Sequence, residues 1–379
     1  MIISIFLFIV LFAFGMVFPT SKKAAFFILL YMWIFYSFNT FSGDYEVYRT
    51  FYEETEISYM FAHFEPGFAA IMAICRRFSL PFLGFKIVLG TVFIGLLYYV
   101  VSIYTKRRAM VLALFMIFPF MLYTSVLRAG ISMMFVTMSF KYLSSRRNYS
   151  LLRFSICIIV ATLFHYSSFL FLVFILLRRQ RFGKVLLWSV VATLTIALLM
   201  YTGVLYNLAS KVISNVDILE WLDVSAADNN LNIKGKLVQV MVLFFVIAIM
   251  YTAQHSIYLF KKNNPGVHIQ RREIRLIRAV FKSNLMLVVF IPFFMLNDSW
   301  LRMIWALMLI DIIVCVIVFS KRRFRLPRSI VVKRSTMALA TTFAFLVLCV
   351  AYTNFPYMNT EVSVENYFIN NIIFQEFLF

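Results

Sequence analysis

Asp44, Glu65, Arg128 and His165 each stand where an apolar run begins or ends, and each is a residue type that can move a proton or hold an anion. Asp44 lies in Ser42-Gly43-Asp44-Tyr45-Glu46-Val47-Tyr48, where Gly43 allows a tight exit from the preceding apolar run. Glu65 precedes Pro66, which suits the first turn of a helix because its missing N–H would be unpaired there anyway. Arg128 is a lone cation between two apolar runs in Ser125-Val126-Leu127-Arg128-Ala129-Gly130, and His165 sits in Phe164-His165-Tyr166-Ser167. Carboxylates and a histidine supply general acids and bases, while an arginine presents a planar fork to phosphate oxygens. An ionisable group at membrane depth reads as functional when it faces the bundle or a water-filled cavity. Plainer roles compete with these: helix-capping loop acids for Asp44 and Glu65, snorkelling to lipid phosphates for Arg128, a satisfied turn residue for His165. Arg302, beside Asp298, reads as one half of a surface pair at a helix end, and Asp311 in Leu309-Ile310-Asp311-Ile312-Ile313 as a helix-pairing residue. Tyr45 and Tyr48 read as interfacial anchors or as part of a carbohydrate-binding surface.

Holding such groups in place falls to helices in lipid. Of 379 residues 63% are apolar and only 14% charged, more apolar surface than one soluble core can hide. The net charge of +20 would suit a nucleic-acid partner. Its distribution argues for none, because Lys and Arg gather between apolar runs, at 106–108, 178–179, 271–278 and 321–323, as in cytoplasmic loops. The four cysteines share no close spacing, so neither a disulfide framework nor a metal site is expected. Residues 1–18 lack a basic start and a clear cleavage site and read as a retained first span.

Apolar runs place spans near 1–19, 24–41, 86–105, 109–125, 128–143, 185–203, 237–260, 279–297, 300–320 and 335–353. Residues 149–177 are too long for one span and short for two, and basic residues flank both ends; a hairpin of two short helices turning at His165 returns the chain to the side it left. Residues 63–78 read as a re-entrant or interfacial helix. The expected fold is thus all-α, a single polytopic transmembrane bundle over 1–379 with about twelve crossings. With both termini outside, most of the 36 Lys and Arg fall on the cytoplasmic side, and segments 41–62, 204–236 and the tail 354–379 lie outside. No Walker-type or G-x-G-x-x-G glycine run is present, so chemistry is expected at the outer face without a nucleotide or other cofactor.

The candidate residues also carry a resemblance. Gly43-Asp44-Tyr45 with Tyr48, then Glu65-Pro66 with Phe68, then Leu127-Arg128-Ala129-Gly130-Ile131, then Phe164-His165 with Ser167 follow the motif order of the Wzy-type, EpsG-like polymerases of bacterial surface polysaccharides. The likeness in motifs covers roughly residues 1–180 and rests on span pattern beyond. Two positions depart from it: Phe38-Asn39-Thr40 stands where the family often has an Arg, and Ala129 where it usually has a Gln.

The resemblance implies a multi-pass protein of the bacterial inner membrane that polymerises undecaprenyl-diphosphate-linked repeat units of O-antigen, capsule or exopolysaccharide at the periplasmic or outer face. It implies Arg128, and with it Arg302, Tyr45 and Tyr48, as substrate-binding residues, and His165, Asp44 or Glu65 as the base. A chain-length regulator and a flippase are the protein partners it suggests. A lipid-linked oligosaccharide flippase and a ligase-like transferase are the competing functions. A flippase predicts charge through the membrane depth, whereas here Asp311 stands almost alone there.

Overall fold

In lipid a backbone must satisfy its own hydrogen bonds, and long apolar stretches with few prolines do so as helices. The computed structural model describes residues 2–39, 44–117, 119–204, 233–263, 271–296 and 302–319, and no strand occurs among them. The chain forms α1 (Ile2–Val17), α2 (Lys22–Phe38), α3 (Tyr45–Glu54), α4 (Ile57–His63), α5 (Pro66–Arg77), α6 (Phe82–Tyr104), α7 (Arg108–Ile117), α8 (Phe120–Ser125), α9 (Leu127–Leu143) and α10 (Ser150–Thr162). A 3-10 helix (Tyr166–Arg178), α11 (Phe182–Tyr201), α12 (Ile233–Asn263), α13 (Arg271–Met286), a short 3-10 turn (Leu287–Phe290), α14 (Ile291–Leu296) and α15 (Arg302–Phe319) follow.

Helix α9 is the hub, packed against α6, α8, α10, α13, α15 and the longer 3-10 helix. Small buried residues along it, Ala129, Gly130, Ser132 and Ser139 among them, let neighbouring backbones approach closely. Ser132 and Ser168 join α9 to the 3-10 helix through their hydroxyls at 2.5 Å. Deeper in the bundle, Asn284 on α13 donates to Asp311 on α15 at 2.7 Å, the helix-pairing role expected of that acid.

Among the described residues three helices are long and apolar enough to cross a membrane: Phe82–Tyr104, Phe182–Tyr201 and Arg271–Phe293. That is far fewer than the twelve crossings expected from the sequence. The expected span 335–353 lies outside the described residues, as do most of segment 204–236 and all of the tail 354–379. Within α1, α2, α7, α8 and α9 the difference is physical. Helices α1, α2 and α9, with 16, 17 and 17 residues, reach roughly 24–26 Å at ~1.5 Å per residue, against a hydrocarbon layer of about 30 Å. The expected span 109–125 is cut into α7 and α8 around Pro119, which has no N–H to continue a helix. The basic stretch 271–278, read from sequence as loop, is instead the first two turns of α13, with Leu276 and Ile277 buried.

Two expectations for short elements agree with the structure. Helix α5 has 12 residues, about 18 Å, too short to cross and fit for a re-entrant or interfacial element. Residues 150–178 form the hairpin: α10 packs on the 3-10 helix, and Arg178 Nη2 donates to the Ser145 carbonyl at 2.6 Å, returning the chain to where it left. The 3-10 geometry makes the return journey feasible. At ~2.0 Å per residue it extends about a third further than an α-helix of equal length.

Candidate active site

The end of the bundle that carries Glu65 is built from aromatic side chains. Along α3, Tyr45, Tyr48 and Tyr52 recur at helical spacing, and the last two are buried. Tyr48 packs on Phe64 and Phe68 at ring distances of 5.8 and 5.4 Å, and Tyr52 stacks on Phe85 of α6 at 5.1 Å. The Tyr52 hydroxyl closes the platform by donating to the Leu80 carbonyl at 2.7 Å. This apolar seat fixes α3, α4 and α5 against α6 and removes water from one side of the polar groups above it.

Glu65 is the residue around which those polar groups assemble. It occupies the N-cap of α5 in an extended conformation, yet its carboxylate makes no capping bond to its own helix. One oxygen accepts from Arg128 Nη1 at 2.6 Å. The other lies 3.3 Å from His165 Nδ1 and 3.3 Å from the Tyr166 backbone N–H. Both oxygens are thus engaged, and the side chain is only 3% exposed. Arg128 is held from a second direction, donating through Nε to the Tyr48 hydroxyl at 3.2 Å, with its guanidinium 5.2 Å from the centre of the Phe64 ring. Four residues that the sequence spreads from 48 to 165 share one hydrogen-bonded chain, Tyr48–Arg128–Glu65–His165.

The protonation states follow from this geometry. Burial works to raise the Glu65 carboxyl, but the His165 hydrogen bond and the charge of Arg128 outweigh it, and the group sits at about 2. Burial pushes the His165 imidazole below its usual value; Glu65 pulls it back only in part, and Arg302 and Arg128 add to the lowering. His165 lies in the short linker between α10 and the 3-10 helix. At neutral pH the pair is therefore carboxylate and neutral imidazole. A carboxylate only accepts, so the ring proton belongs on Nδ1 and the lone pair on Nε2.

Gly67 keeps the two halves of the site in register. Its N–H donates to the Leu163 carbonyl at 2.7 Å, and a Cβ there would come within 2.8 Å of that same oxygen. Backbone would have to move, drawing Glu65 away from His165. Gly67→Ala is expected to lower stability by about 1–3 kcal/mol, seen as a reduced thermal unfolding midpoint of the purified protein, together with reduced activity.

The other candidates occupy different ground. Asp44 is half-buried at the N-cap of α3 and, like Glu65, forms no capping bond with its side chain; its charge is felt at Tyr48. Arg302, at the start of α15, is electrostatically felt at both Tyr48 and His165, which places it beside the cluster without a hydrogen bond to it among the described residues. Asp298, its expected partner, lies outside the described residues. Tyr45 is not part of the chain of bonds. Its ring meets Phe82 edge-on at 5.3 Å and carries the ammonium of Lys86 4.9 Å from its centre. Lys86, on the second turn of α6, is a site-side cation that sequence reading missed. It is 2% exposed and donates to the Asn39 carbonyl at the end of α2. A lysine inside an otherwise apolar span is the signal that could have found it.

An all-helical membrane protein with ionisable side chains gathered at one end of its bundle is the class that fold and site define. The sequence model of the EpsG family matches residues 22–360 of the 379, and the chain belongs to that family. Membership points to a glycosyltransferase-like polymerase of polysaccharide biosynthesis. No curated protein and no solved structure matches the chain.

Proposed function

We propose that this protein polymerises oligosaccharide repeat units carried on undecaprenyl diphosphate, working at the outer face of the bacterial inner membrane. The observation that carries the reading is the buried Tyr48–Arg128–Glu65–His165 chain, in which an arginine and a neutral histidine are set by one shared carboxylate.

The donor arrives activated, because its sugar already sits on a diphosphate leaving group. Arg128 uses Nε and one Nη1 proton on Tyr48 and Glu65, and the remaining N–H groups of its fork, which meet no acceptor among the described residues, suit diphosphate oxygens as charge-assisted donors. Arg302 adds a second cation on the same side. Lys86, reaching the Asn39 carbonyl, places an amine donor close to where the related polymerases often carry an arginine. The acceptor sugar hydroxyl attacks the anomeric carbon as the bond to the diphosphate oxygen breaks, and the electron pair leaves with undecaprenyl diphosphate. The hydroxyl proton passes to Nε2 of His165, whose other nitrogen is tied to Glu65; this is the base-and-orienting-carboxylate logic of the hydrolase triads.

Glu65 is then a positioning residue, since neither oxygen is spare. Asp44, whose carboxylate makes no capping bond to its own helix, is suited to stabilise the oxocarbenium-like charge that develops on the donor sugar. Tyr48 orients Arg128. Tyr45, over which Lys86 sits, shapes the neighbouring wall. A chain-length regulator and a flippase are the protein partners this activity would need.

Deleting the gene in its native host and resolving surface polysaccharide and the lipid-linked pool on gels tests the reading. Loss of long chains while single repeat units still reach the outer leaflet is the expected result. Repeat units trapped on the cytoplasmic side would mean a flippase instead.

A further inference from the structure

At the end of the bundle opposite Glu65, where α9 finishes and α10 begins, a cavity of 830 Å³ opens between the α9–α10 connection, the end of the 3-10 helix and α13. Its lining is basic in two tiers. Arg178, Arg275 and Lys282 are half-buried and spend their donors on backbone: Arg178 on Ser145, Arg275 on Ser144 at 2.9 Å, Lys282 on Leu177. They fix the walls. Arg146, Arg179, Arg181 and Arg278 stand exposed on the same lining with no hydrogen bond or ion pair among the described residues, and no acidic side chain lines the cavity. Four unpaired guanidiniums drawn from three elements converge on one concavity, where scattered cytoplasmic cations would spread apart under their mutual repulsion.

One flank of this basic mouth is apolar. Phe182 and Phe281, both lining residues, stack at 5.1 Å, and the exposed Tyr251 of α12 lies 6.1 Å from Phe281. Tyr251, His255 and Tyr258 continue along α12 into an adjoining 480 Å³ pocket that shares Arg146, Arg275 and Arg278. From Phe182 upward, α11 carries an outward stripe of Leu186, Val190 and Leu194, at helical spacing. Phosphate-sized cation groups thus border a strip that an acyl chain can lie along.

We propose that this cavity binds the phosphate headgroup of an acidic phospholipid, with the acyl chains laid against α11. Fixed carbonyl-bonded cations form the floor and the four exposed arginines close on the phosphate oxygens, as basic pockets between helices do on the cytoplasmic side of other membrane proteins. The cavity is about 25 Å from the Glu65 cluster, the length of α9 at ~1.5 Å per residue, so the inference does not depend on the activity proposed above.

The test uses full-length protein in a neutral detergent, with the thermal unfolding midpoint followed against added phosphatidylglycerol, cardiolipin, phosphatidylcholine or sodium diphosphate. The two acidic lipids should raise the midpoint and phosphatidylcholine should not. Replacing Arg146, Arg179, Arg181 and Arg278 together by Gln should weaken the acidic-lipid response roughly tenfold or more, while Lys22→Gln/Lys23→Gln, at an exposed basic pair outside the cavity, keeps it. Should the fourfold variant fail to fold, Arg179→Gln/Arg181→Gln is read in the same way. An undiminished response in the cavity variants, or an equal response to phosphatidylcholine, overturns the site. A response to diphosphate as large as that to lipid overturns the lipid as its occupant.

Discussion

Arg128→Lys should insert and fold like the wild-type protein and make almost no long polymer. The charge remains, and an ammonium on α9 can still answer the Glu65 carboxylate now bonded at 2.6 Å. What disappears is the fork: the bond to Tyr48 at 3.2 Å, which sets the plane of the guanidinium, and the paired N–H groups that would face the diphosphate. Charge-assisted hydrogen bonds contribute roughly 1.5–3 kcal/mol each, so losing one or two predicts a fall on the order of 10²-fold in polymerisation rate. Alanine is the less informative replacement. It strands a carboxylate whose side chain is 3% exposed, a change that costs about 3–5 kcal/mol when a buried pair is broken. Membrane levels equal to wild type together with short products on a polymer-length gel would bear the prediction out; long chains made at the wild-type rate would sink the diphosphate role.

The second large effect is expected at His165. His165→Gln fills similar space and can still meet Glu65, but it offers no basic nitrogen to the acceptor, and a rate loss of about 10²–10⁴-fold follows from removing a general base. The pH profile separates this from simple disturbance of the site. Burial holds the imidazole below its ordinary value, so the neutral, competent form persists as pH falls through the usual histidine range. The wild-type acid limb should have its midpoint under 6.5, and the low-lying Glu65 carboxyl cannot account for it because it stays ionised down to about 2. His165→Gln should retain a small rate with that limb gone. If its residual rate instead falls along the same limb, another group is the base, and Asp44 is next in place.

The helical class was legible from composition because lipid leaves the backbone few choices, and the hairpin at 150–178 from the basic residues at its two ends. Glu65, Arg128 and His165 could each be picked out singly, as ionisable residues at the ends of apolar runs, and Tyr48 as an interfacial or sugar-facing aromatic. Their pairing was beyond the sequence. Nothing in it says that Glu65 abandons its own helix terminus to join Arg128 and His165, since an N-cap acid beside Pro66 is just what a capping residue looks like. Crossing lengths were overestimated for a similar reason. Hydropathy does not register that Pro119 ends one helix and permits another, or that the basic turns of α13 continue straight into its apolar part. Lys86 escaped because a single cation hardly dents an apolar run of 23 residues, though its burial makes it one of the costlier side chains in the bundle.

The contact between Glu65 and His165 also bears on how the protein is made. It closes over 100 residues of chain, and that between Glu65 and the Tyr166 amide over 101. As the ribosome delivers the polypeptide from its N-terminus, α3, α5 and α9 are made well before the hairpin is. For that interval Glu65 has Arg128 as a companion but nothing on its other oxygen. Any product ending between 143 and 165 would possess the Arg128–Glu65 pair and lack the imidazole that completes the cluster. Completion of the α10 hairpin is thus the step that closes the Glu65 cluster, so the site forms only once the chain has grown past Tyr166.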